Sequence, residues 1–562
     1  MAEKWDLDRL SDVWASRGFD RRELLKLLGA GAGLTAMTTL FTAPGAGAAA
    51  AARVQGDEKQ VSIEWRKPQT LNPIFSTAGF EQQVERAILG SLVRMSDKLV
   101  PTGDLAEKID VSADATVYTF HLQPKATFSD GTPLTSADVL FTFERAIDKR
   151  VGSIWSGRLQ GIEGAPDYSV QKADTVTGLT APDDRTVVFT LSDPDAAFLP
   201  ILADFCGLGI LPKHILENVA PDQLVNDKYN LAPTVGAGAF KFVSYESDQY
   251  VELEANDTYW AGRPAVDRIF LRILDAEVAV AEMKKGTLDL ISVSIDDIDS
   301  LKENADLTVV SVPSPSMDSI SFNLDKDYFK DKRIRQAAMY AIDRANIVKE
   351  IYKDNAVVRN SPIFGPDWMG VPEGLNEYAY DPDKAKQLLK DAGWDSGRKV
   401  QMMYNPAGNK SFNNMIPIIQ SQLGDAGMQI DLVQYDAAEL NKHLGTDHDY
   451  EIYIGGGGVY GADPNISSRY YLSNAFTPTG ANSVWYANPD VDALYKQGRQ
   501  AGDQAARKVI YTRLALLLNE ECPSVFLWSP NTNFAFNNRL QGFLPPSYVD
   551  NRLWNSEQWS VG

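Results

Sequence analysis

The sequence is poor in the residues that build metal centres and catalytic sites. Its 562 residues include two cysteines and four histidines, too few for an iron–sulfur cluster or a cysteine-ligated zinc site. The motifs of serine hydrolases (GxSxG), zinc peptidases (HExxH) and P-loop nucleotide-binding proteins (GxxxxGK[ST]) do not occur. We therefore predict a protein that is not an enzyme and that holds no metal or cofactor.

Negative charge dominates the residues that are present. Acidic side chains outnumber basic ones by 75 to 54, which gives a net charge of -21. Such an excess repels phosphate backbones and anionic lipids, so it argues against a nucleic-acid or membrane-surface partner. With 44% hydrophobic residues, the chain can bury several cores, and its length predicts about two to four domains.

The N-terminal segment resembles a twin-arginine export signal. Arg21 and Arg22 stand in DRRELLKLL, before a weakly apolar, glycine-rich run at 27–41 and the small-residue stretch APGAGAAAAA. An uncleaved membrane anchor is the alternative, but glycines and threonines make this run a poor membrane span. We expect cleavage near AGA at 46–48, and no cysteine there could carry a lipid anchor. The mature chain is then expected in the periplasm.

Residues 118–147 predict a strand, a turn and a helix packed on a core. Tyr118, Phe120 and Leu122 share one face of the strand, and DGTP at 130–133 has turn chemistry. Thr135 and Asp138 offer a capping box for the helix. The apolar positions at helical spacing are Val139, Leu140, Phe143 and Ile147.

The sequence LGSLVRMSDKLVPTGDLAEKIDVSADATVYTFHLQPKATFSDGTPLTSADVLFTFERAI at 89–147 closely resembles the extracytoplasmic solute-binding proteins, family 5, of peptide- and nickel-type ABC importers. The resemblance continues through TLNP at 70–73 and VGAGAFKFVSYESDQYVELEANDTYWAG at 235–262. The segment FNLDKDYFKDKRIRQAAMYAIDRANIV at 322–348 matches the family's central helix. In DPDKAKQLLKDAGW, Asp381 is expected to cap a helix that Pro382 opens and Gly393 ends.

The resemblance implies an α/β fold, a two-lobed periplasmic-binding-protein clamshell with an additional small domain, of the large peptide-binding subclass of type II. Residues 1–52 would be the signal peptide and cleavage region. Lobe I would combine residues 53–94, 190–312 and 526–562. The small domain would take residues 95–189, and lobe II residues 313–525.

The resemblance also implies a function. The chain would be a monomeric, periplasmic substrate-binding component of an ABC importer, delivering its ligand to permease subunits with cytoplasmic ATPases. An oligopeptide, a peptide-like compound, an opine-like conjugate and an oligosaccharide stay open as ligands. A nickel chelate ranks low, because scattered histidines give little to coordinate it. A secreted enzyme or a chemoreceptor-linked sensor on the same fold is the alternative, and turnover would separate an enzyme from a binding protein.

Alignment with the family also implies a set of ligand-binding residues. They are Phe75, Thr77, Trp155, Lys410, Gly458, Tyr460, Asp463 and Trp485. Aromatic members of this set would stack on sugars or cover apolar groups, and packing in the core is the alternative for any single one. Lys410 falls near a basic position that binds a ligand carboxylate, whereas Ile454 stands where some relatives use an arginine.

Tyr460 is the main departure from the peptide-binding pattern. Peptide-binding relatives hold the peptide's amino group with an Asp three residues before an acidic-Pro pair, which here is Asp463-Pro464. A buried ammonium without a carboxylate partner costs several kcal/mol. Small unmodified peptides are therefore expected to bind poorly, unless another acidic side chain such as Asp463 supplies the anchor.

A glycine run, two histidines and two cysteines give weaker signals. Gly455 to Gly458 follow the strand-like YEIYI without the Lys-Ser or Lys-Thr of a phosphate cradle, so they indicate a close backbone approach in a binding cleft. His443 and His448 are five residues apart, off the spacing of two helix-borne ligands, and are expected to be exposed. Cys206 and Cys522 would be able to pair in an oxidising compartment, and the sequence leaves this open.

Replacing both Arg21 and Arg22 by Lys should trap the precursor in the cytoplasm, because the arginine pair is the part of the signal that the export machinery reads. Cell fractionation followed by N-terminal sequencing checks this, and the mature form should begin between Ala49 and Arg53. Normal periplasmic yield of the double-Lys variant, or an intact Met1 in the periplasm, would show the interpretation to be wrong.

Overall fold

The computed structural model describes residues 59–204, 207–406, 410–459, 463–546 and 551–562. These residues belong to one unit that begins at Lys59. The predicted export signal with Arg21 and Arg22 lies outside the described residues, as do Cys206 and Tyr460. Within the described ranges, no helix has both the length and the apolar character needed to cross a bilayer.

The strands, numbered along the chain, are β1 (Gln60–Trp65), β2 (Val93–Met95), β3 (Pro101–Gly103), β4 (Ala106–Val111), β5 (Val117–Leu122), β6 (Leu179–Asp183), β7 (Thr186–Thr190), β8 (Phe240–Glu246), β9 (Tyr250–Ala255), β10 (Arg268–Ile273), β11 (Leu290–Ser292), β12 (Leu307–Val312), β13 (Ser316–Phe322), β14 (Ala356–Val358), β15 (Lys399–Tyr404), β16 (Gln429–Gln434), β17 (Ile452–Val459), β18 (Ser524–Pro530), β19 (Thr532–Asn537), β20 (Leu540–Gln541) and β21 (Ser560–Val561).

The α-helices are α1 (Gly79–Leu89), α2 (Ser136–Ile147), α3 (Ala165–Ser169), α4 (Phe198–Leu202), α5 (Lys213–Leu216), α6 (Ala276–Lys284), α7 (Ile298–Lys302), α8 (Asp327–Lys330), α9 (Lys332–Ala341), α10 (Arg344–Glu350), α11 (Pro382–Asp391), α12 (Lys410–Ala426), α13 (Ala437–Asn441), α14 (Ser468–Tyr471), α15 (Pro489–Gln500) and α16 (Gln504–Glu521). Short 3-10 segments lie at Ser156–Leu159, Pro221–Asn226, Lys228–Asn230, Pro464–Ser467 and Ser556–Gln558, and a π turn at Lys442–Asp447.

Three larger sheets organise these elements, in addition to the two-stranded sheets β2-β3 and β20-β21. A seven-stranded mixed sheet has the order β12-β19-β11-β1-β10-β9-β8, and we call it with its helices lobe I. A six-stranded mixed sheet, β14-β18-β13-β17-β15-β16, forms lobe II. The third sheet is antiparallel, with the order β4-β5-β7-β6. The chain passes between the two lobes at 313–315 and again at Asn531, between β18 and β19.

The local signals of the strand and helix at 118–147 are confirmed. Tyr118, Phe120 and Leu122 in β5 are all buried, and they alternate with half-buried neighbours. At the start of α2, the Thr135 N–H donates to the Asp138 carboxylate over 2.9 Å. The predicted capping box therefore begins a helix that packs against the four-stranded sheet and buries its apolar face in the core.

The helix predicted after Asp381 is also confirmed. The Asp381 carboxylate accepts the Lys384 N–H at 2.9 Å, Pro382 opens α11, and Gly393 has a positive φ of 69° just beyond its end. That backbone conformation favours glycine because an L side chain is strained there.

The segment at 322–348 is not one helix. It contains the end of β13, the short α8, and then α9 and α10, which are separated by extended backbone at Ile342. Asp343 ends the continuity because its carboxylate accepts the Asn346 N–H at 3.1 Å and caps α10. The predicted apolar face is nevertheless buried throughout: Ile334, Ala337, Ala338, Ala341 and Ile342.

Arg344, at the start of α10, holds lobe II together from inside. Its guanidinium donates to the backbone carbonyls of Arg359, Phe526, Glu377 and Tyr378 over 2.5 to 3.2 Å. The side chain is buried without a carboxylate partner among these contacts, and burial lowers its pKa to about 10. Three separated segments of chain therefore depend on one planar group.

Arg344→Lys should destabilise the protein by about 2 kcal/mol or more, because an ammonium cannot span these carbonyls and each charged hydrogen bond is worth about 1.5–3 kcal/mol. Denaturant unfolding measures the change. Arg333→Lys is the matched control, since that side chain on α9 is 45% exposed, and it should stay within about 0.5 kcal/mol of wild type. Equal effects of the two substitutions would contradict the role of Arg344.

Candidate functional site

Phe75 and Thr77, which the resemblance assigns to the ligand, lie in the turn at 71–77 that follows β1. Phe75 is half-buried and Thr77 is exposed. Trp155 supports this turn, because its indole N–H donates to the Pro73 carbonyl at 3.0 Å and its side chain is only 2% exposed. Trp155 therefore packs in the core, which is the alternative that the sequence left open, and its contact with a ligand stays a prediction.

The lobe II wall includes the glycine run of β17. A Cβ at Gly456 would lie 1.8 Å from the Asp318 Oδ1 on the neighbouring strand β13, so only glycine fits there. The group that approaches Gly456 is the Asp318 side chain, and the predicted close backbone approach in a binding cleft stays a prediction. Gly458 pairs with Met317 in the same two strands.

Asp318 is the residue of this wall that the sequence reading missed. Its side chain is 6% exposed, and its Oδ2 accepts the Trp528 indole N–H at 3.0 Å. The Tyr352 hydroxyl lies at 3.4 Å from the same oxygen. Burial raises the pKa of Asp318 to about 7. No sequence signal marks this residue, because Trp528 is 210 positions away.

Asp463 does not present an open carboxylate. Its two oxygens accept bonds from the Arg507 guanidinium at 2.8 and 2.9 Å, and Oδ1 also accepts the Asn465 N–H at 2.8 Å. Both charged side chains are almost fully buried. This finding removes Asp463 as the alternative anchor for a ligand's amino group. Its role is to fix the 3-10 segment Pro464–Ser467.

Trp485 is held among residues of its own lobe. Its ring stacks on His448, with centroids 3.8 Å apart and an angle of 11° between the planes, and it also stacks with Phe476 at 5.5 Å. Its indole N–H donates to Thr477. His448 is half-buried, contrary to the expectation of an exposed side chain, and burial lowers its pKa.

The remaining sequence-based expectations have separate outcomes. Lys410 begins α12, but its side chain is outside the described part of the structure, as is Tyr460. Cys522 is a free, buried thiol. His443 is half-buried, and Asp447 and Asp449 beside it are exposed. The atoms of these three side chains that could bind a metal ion lie within 4.8 Å of one another.

Contacts from lobe II to the chain near the four-stranded sheet were also missed from the sequence. Arg499, near the end of α15, forms an ion pair with Asp195, and its carbonyl accepts the Ala196 N–H at 2.7 Å. Beside this contact is a cavity of about 660 Å³. Its walls come from both sides, with Arg158 and Asp204 facing Asn465. This volume is within the range of small-molecule sites.

Comparison with known proteins identifies the architecture. Residues 100–479 match the model of the bacterial extracellular solute-binding proteins, family 5. The chain belongs to this family. A Brucella melitensis protein named as an ABC transporter peptide-binding protein is 30% identical over 500 residues, covering 87% of this chain and 90% of its own.

Solved structures agree with this assignment. The Bacillus subtilis oligopeptide-binding protein AppA, in complex with a nonapeptide, has a TM-score of 0.76 at 25% identity, covering 90% of this chain and 99% of its own. The Agrobacterium tumefaciens protein AgaA, in complex with agropinic acid, has a TM-score of 0.72 at 26% identity, with 90% and 99% covered. The predicted two-lobed α/β fold is confirmed, and the chain is a solute-binding protein.

Asp318→Asn should change how stability depends on pH. A carboxyl whose pKa is raised to about 7 stabilises the folded state only while protonated, so its contribution is present below pH 4 and is lost as the pH rises to about 7. Between pH 5 and pH 8, the variant should therefore gain about 2 kcal/mol relative to wild type, since one pKa unit corresponds to 1.36 kcal/mol. Denaturant unfolding of the ligand-free proteins at both pH values measures this. Parallel pH curves for the two proteins would contradict it.

Proposed function

We propose that this protein captures a peptide or peptide-like solute between its two lobes and delivers it to the permease subunits of an ABC importer, which cytoplasmic ATPase subunits drive. Family membership establishes solute binding, and the names of its relatives supply the importer and the ligand class. The observation that carries the proposal is the cleft itself. The sheets of the two lobes are joined by two crossings, and a cavity of about 660 Å³ is lined by residues of lobe II and of the chain near the four-stranded sheet.

Capture follows from the geometry of this cleft. A ligand that contacts both walls stabilises the arrangement in which the walls are close, because an open form offers it only one wall. The crossings at 313–315 and Asn531 are short element-terminal segments, which are the places where lobe closure is usually accommodated. The Arg499–Asp195 pair lies where the two sides meet. It would add a contact that only the closed arrangement contains.

The ligand class is narrowed by two residues. Tyr460 stands where peptide-binding relatives have an aspartate, and the Asp463 carboxylate is occupied by Arg507. We therefore propose that a charged amine is not held at this end of the cleft. Tyr460 would instead donate a hydrogen bond or stack, and Lys410 would meet a carboxylate. The AgaA complex with agropinic acid keeps opine-like conjugates among the candidates.

The proposal includes export. A cleaved twin-arginine signal would release a monomeric periplasmic protein without a lipid anchor. The second candidate, a chemoreceptor-linked sensor, uses the same capture step, and the partner of the closed form distinguishes the two. Secreted enzymes are disfavoured, because the family's members are binding proteins.

A thermal-shift screen of the purified mature chain tests the function. A ligand at about 100 times its dissociation constant should add about 2.7 kcal/mol of stability, because it binds the folded state alone. The melting temperature should then rise by several degrees. Peptides, opine conjugates and oligosaccharides form the screen, and the ligand should be recovered chemically unchanged. Conversion of the ligand to a product would show that the protein is an enzyme.

A further inference from the structure

The Asp318 carboxylate is incompletely bonded. Its Oδ2 takes the indole N–H of Trp528 and lies near the Tyr352 hydroxyl. None of the described residues donates a hydrogen bond to Oδ1, which points at Gly456. Gly456 is exposed. Oδ1 of the buried Asp318 therefore lies next to an exposed glycine, which has no side chain to cover it.

Five other buried aspartates have an arginine partner, and the buried Asp104 and Asp138 accept backbone N–H groups instead. These pairs are Asp148–Arg150, Asp195–Arg499, Asp204–Arg158, Asp289–Arg539 and Asp463–Arg507. Asp318 forms no ion pair with any residue in the described ranges. Burying a carboxylate without a cation costs folding free energy. Asp318 offsets little of that cost, because among the described residues it accepts only one well-formed hydrogen bond, from Trp528.

In the part of the chain that the structure describes, no cationic side chain contacts Asp318. The titratable groups that face it are Tyr352, after α10, and Tyr453, in β17. Strand β18 supplies the neutral Trp528. Burial and the Asp318 carboxylate raise the pKa of Tyr453, so that hydroxyl stays neutral at physiological pH. None of these described neighbours carries a positive charge.

Asp318 lies close along the chain to a crossing between the two lobes. It lies three residues beyond the crossing at 313–315, and Trp528 lies three residues before the crossing at Asn531. Because β13 and β17 are antiparallel, the start of β13 adjoins the end of β17. Strand β17 is parallel to β15, and ligands of open α/β sheets bind outside the carboxyl ends of parallel strands.

We propose that Asp318 is the cation anchor of this protein, and that its free Oδ1 pairs with an ammonium or guanidinium group of the solute laid against the glycine run. This inference rests on the proposed capture function and narrows its ligand class to solutes that carry a positive group. Asp318 on β13 would thus supply the negative charge that Tyr460 lacks. A cation at Oδ1 would stabilise the ionised acid, so binding would release a proton below pH 7 and weaken as the pH falls.

The test uses two pools of peptides of two to five residues, one with free amines and one N-acetylated and free of Lys, Arg and His. Thermal shift of the mature wild-type protein finds the binding members, and calorimetry gives their affinities at pH 8 and pH 5.5. Asp318→Asn is the test variant. Asp431→Asn, an exposed carboxylate on β16 of the same sheet, is the matched control.

We expect the wild type to bind at least one free-amine peptide and to prefer it tenfold or more over its acetylated form. Asp318→Asn should lose tenfold or more in affinity for that peptide, while Asp431→Asn stays within twofold of wild type. The wild-type affinity should fall between pH 8 and pH 5.5, and the affinity of Asp318→Asn should not. The pH series on the wild type tests the proposal even if the variant folds poorly.

Three results would overturn the anchor: no free-amine peptide binds, the acetylated pool binds as tightly, or Asp318→Asn keeps its affinity within twofold. Tight binding of neutral peptides would agree with the capture function and would contradict only the role of Asp318 as a cation anchor. If no solute of any class in the screen stabilised the protein, the capture function itself would fall.

Discussion

The bidentate ion pair between Arg507 and Asp463 is the interaction on which the lobe II side of the cleft depends. Arg507 extends from α16 and also donates to the Gly498 carbonyl at 2.9 Å. One guanidinium thus fixes both the segment after Tyr460 and the helix end that carries Arg499 to Asp195. Removing one partner of a buried pair costs about 3–5 kcal/mol, so the proposed ligand wall and the contact across the cleft depend on the same group.

Asp463 and Asp318 show how the same side chain takes different roles within one lobe. Asp463 has all its strong bonding capacity satisfied from within the chain, and its function is structural. Asp318 is equally buried but keeps one oxygen without a donor among the described residues. The family-based alignment pointed to the first of these residues and passed over the second. What separates them is the presence of an arginine 44 positions further along the chain.

Local chemistry was readable from the sequence wherever the partners are close along the chain. Thr135 with Asp138, and Asp381 with Pro382, both start helices as expected. At 322–348 the apolar pattern predicts one helix, because its apolar face continues to Ile342. Asp343 instead caps a second helix, since its carboxylate accepts a backbone N–H of that helix.

The site was less predictable, because its bonds join distant residues. Asp195 and Arg499 are 304 positions apart, and Asp318 and Trp528 are 210 apart. Trp155 and Trp485 were assigned to the ligand from alignment. Composition and spacing could not show that the Trp155 indole N–H donates to the Pro73 carbonyl. They also could not show that the Trp485 ring stacks with His448 and Phe476. The glycine run did carry a signal, since four glycines in a strand require a reason.

The central claim is that a solute is captured by closure of the two lobes. Small-angle X-ray scattering of the mature chain, with and without a saturating amount of a peptide that the thermal screen identifies, tests it most directly. The account predicts that the radius of gyration decreases on binding, because the ligand draws both walls of the cleft together. Identical scattering curves for the free and the saturated protein would contradict it.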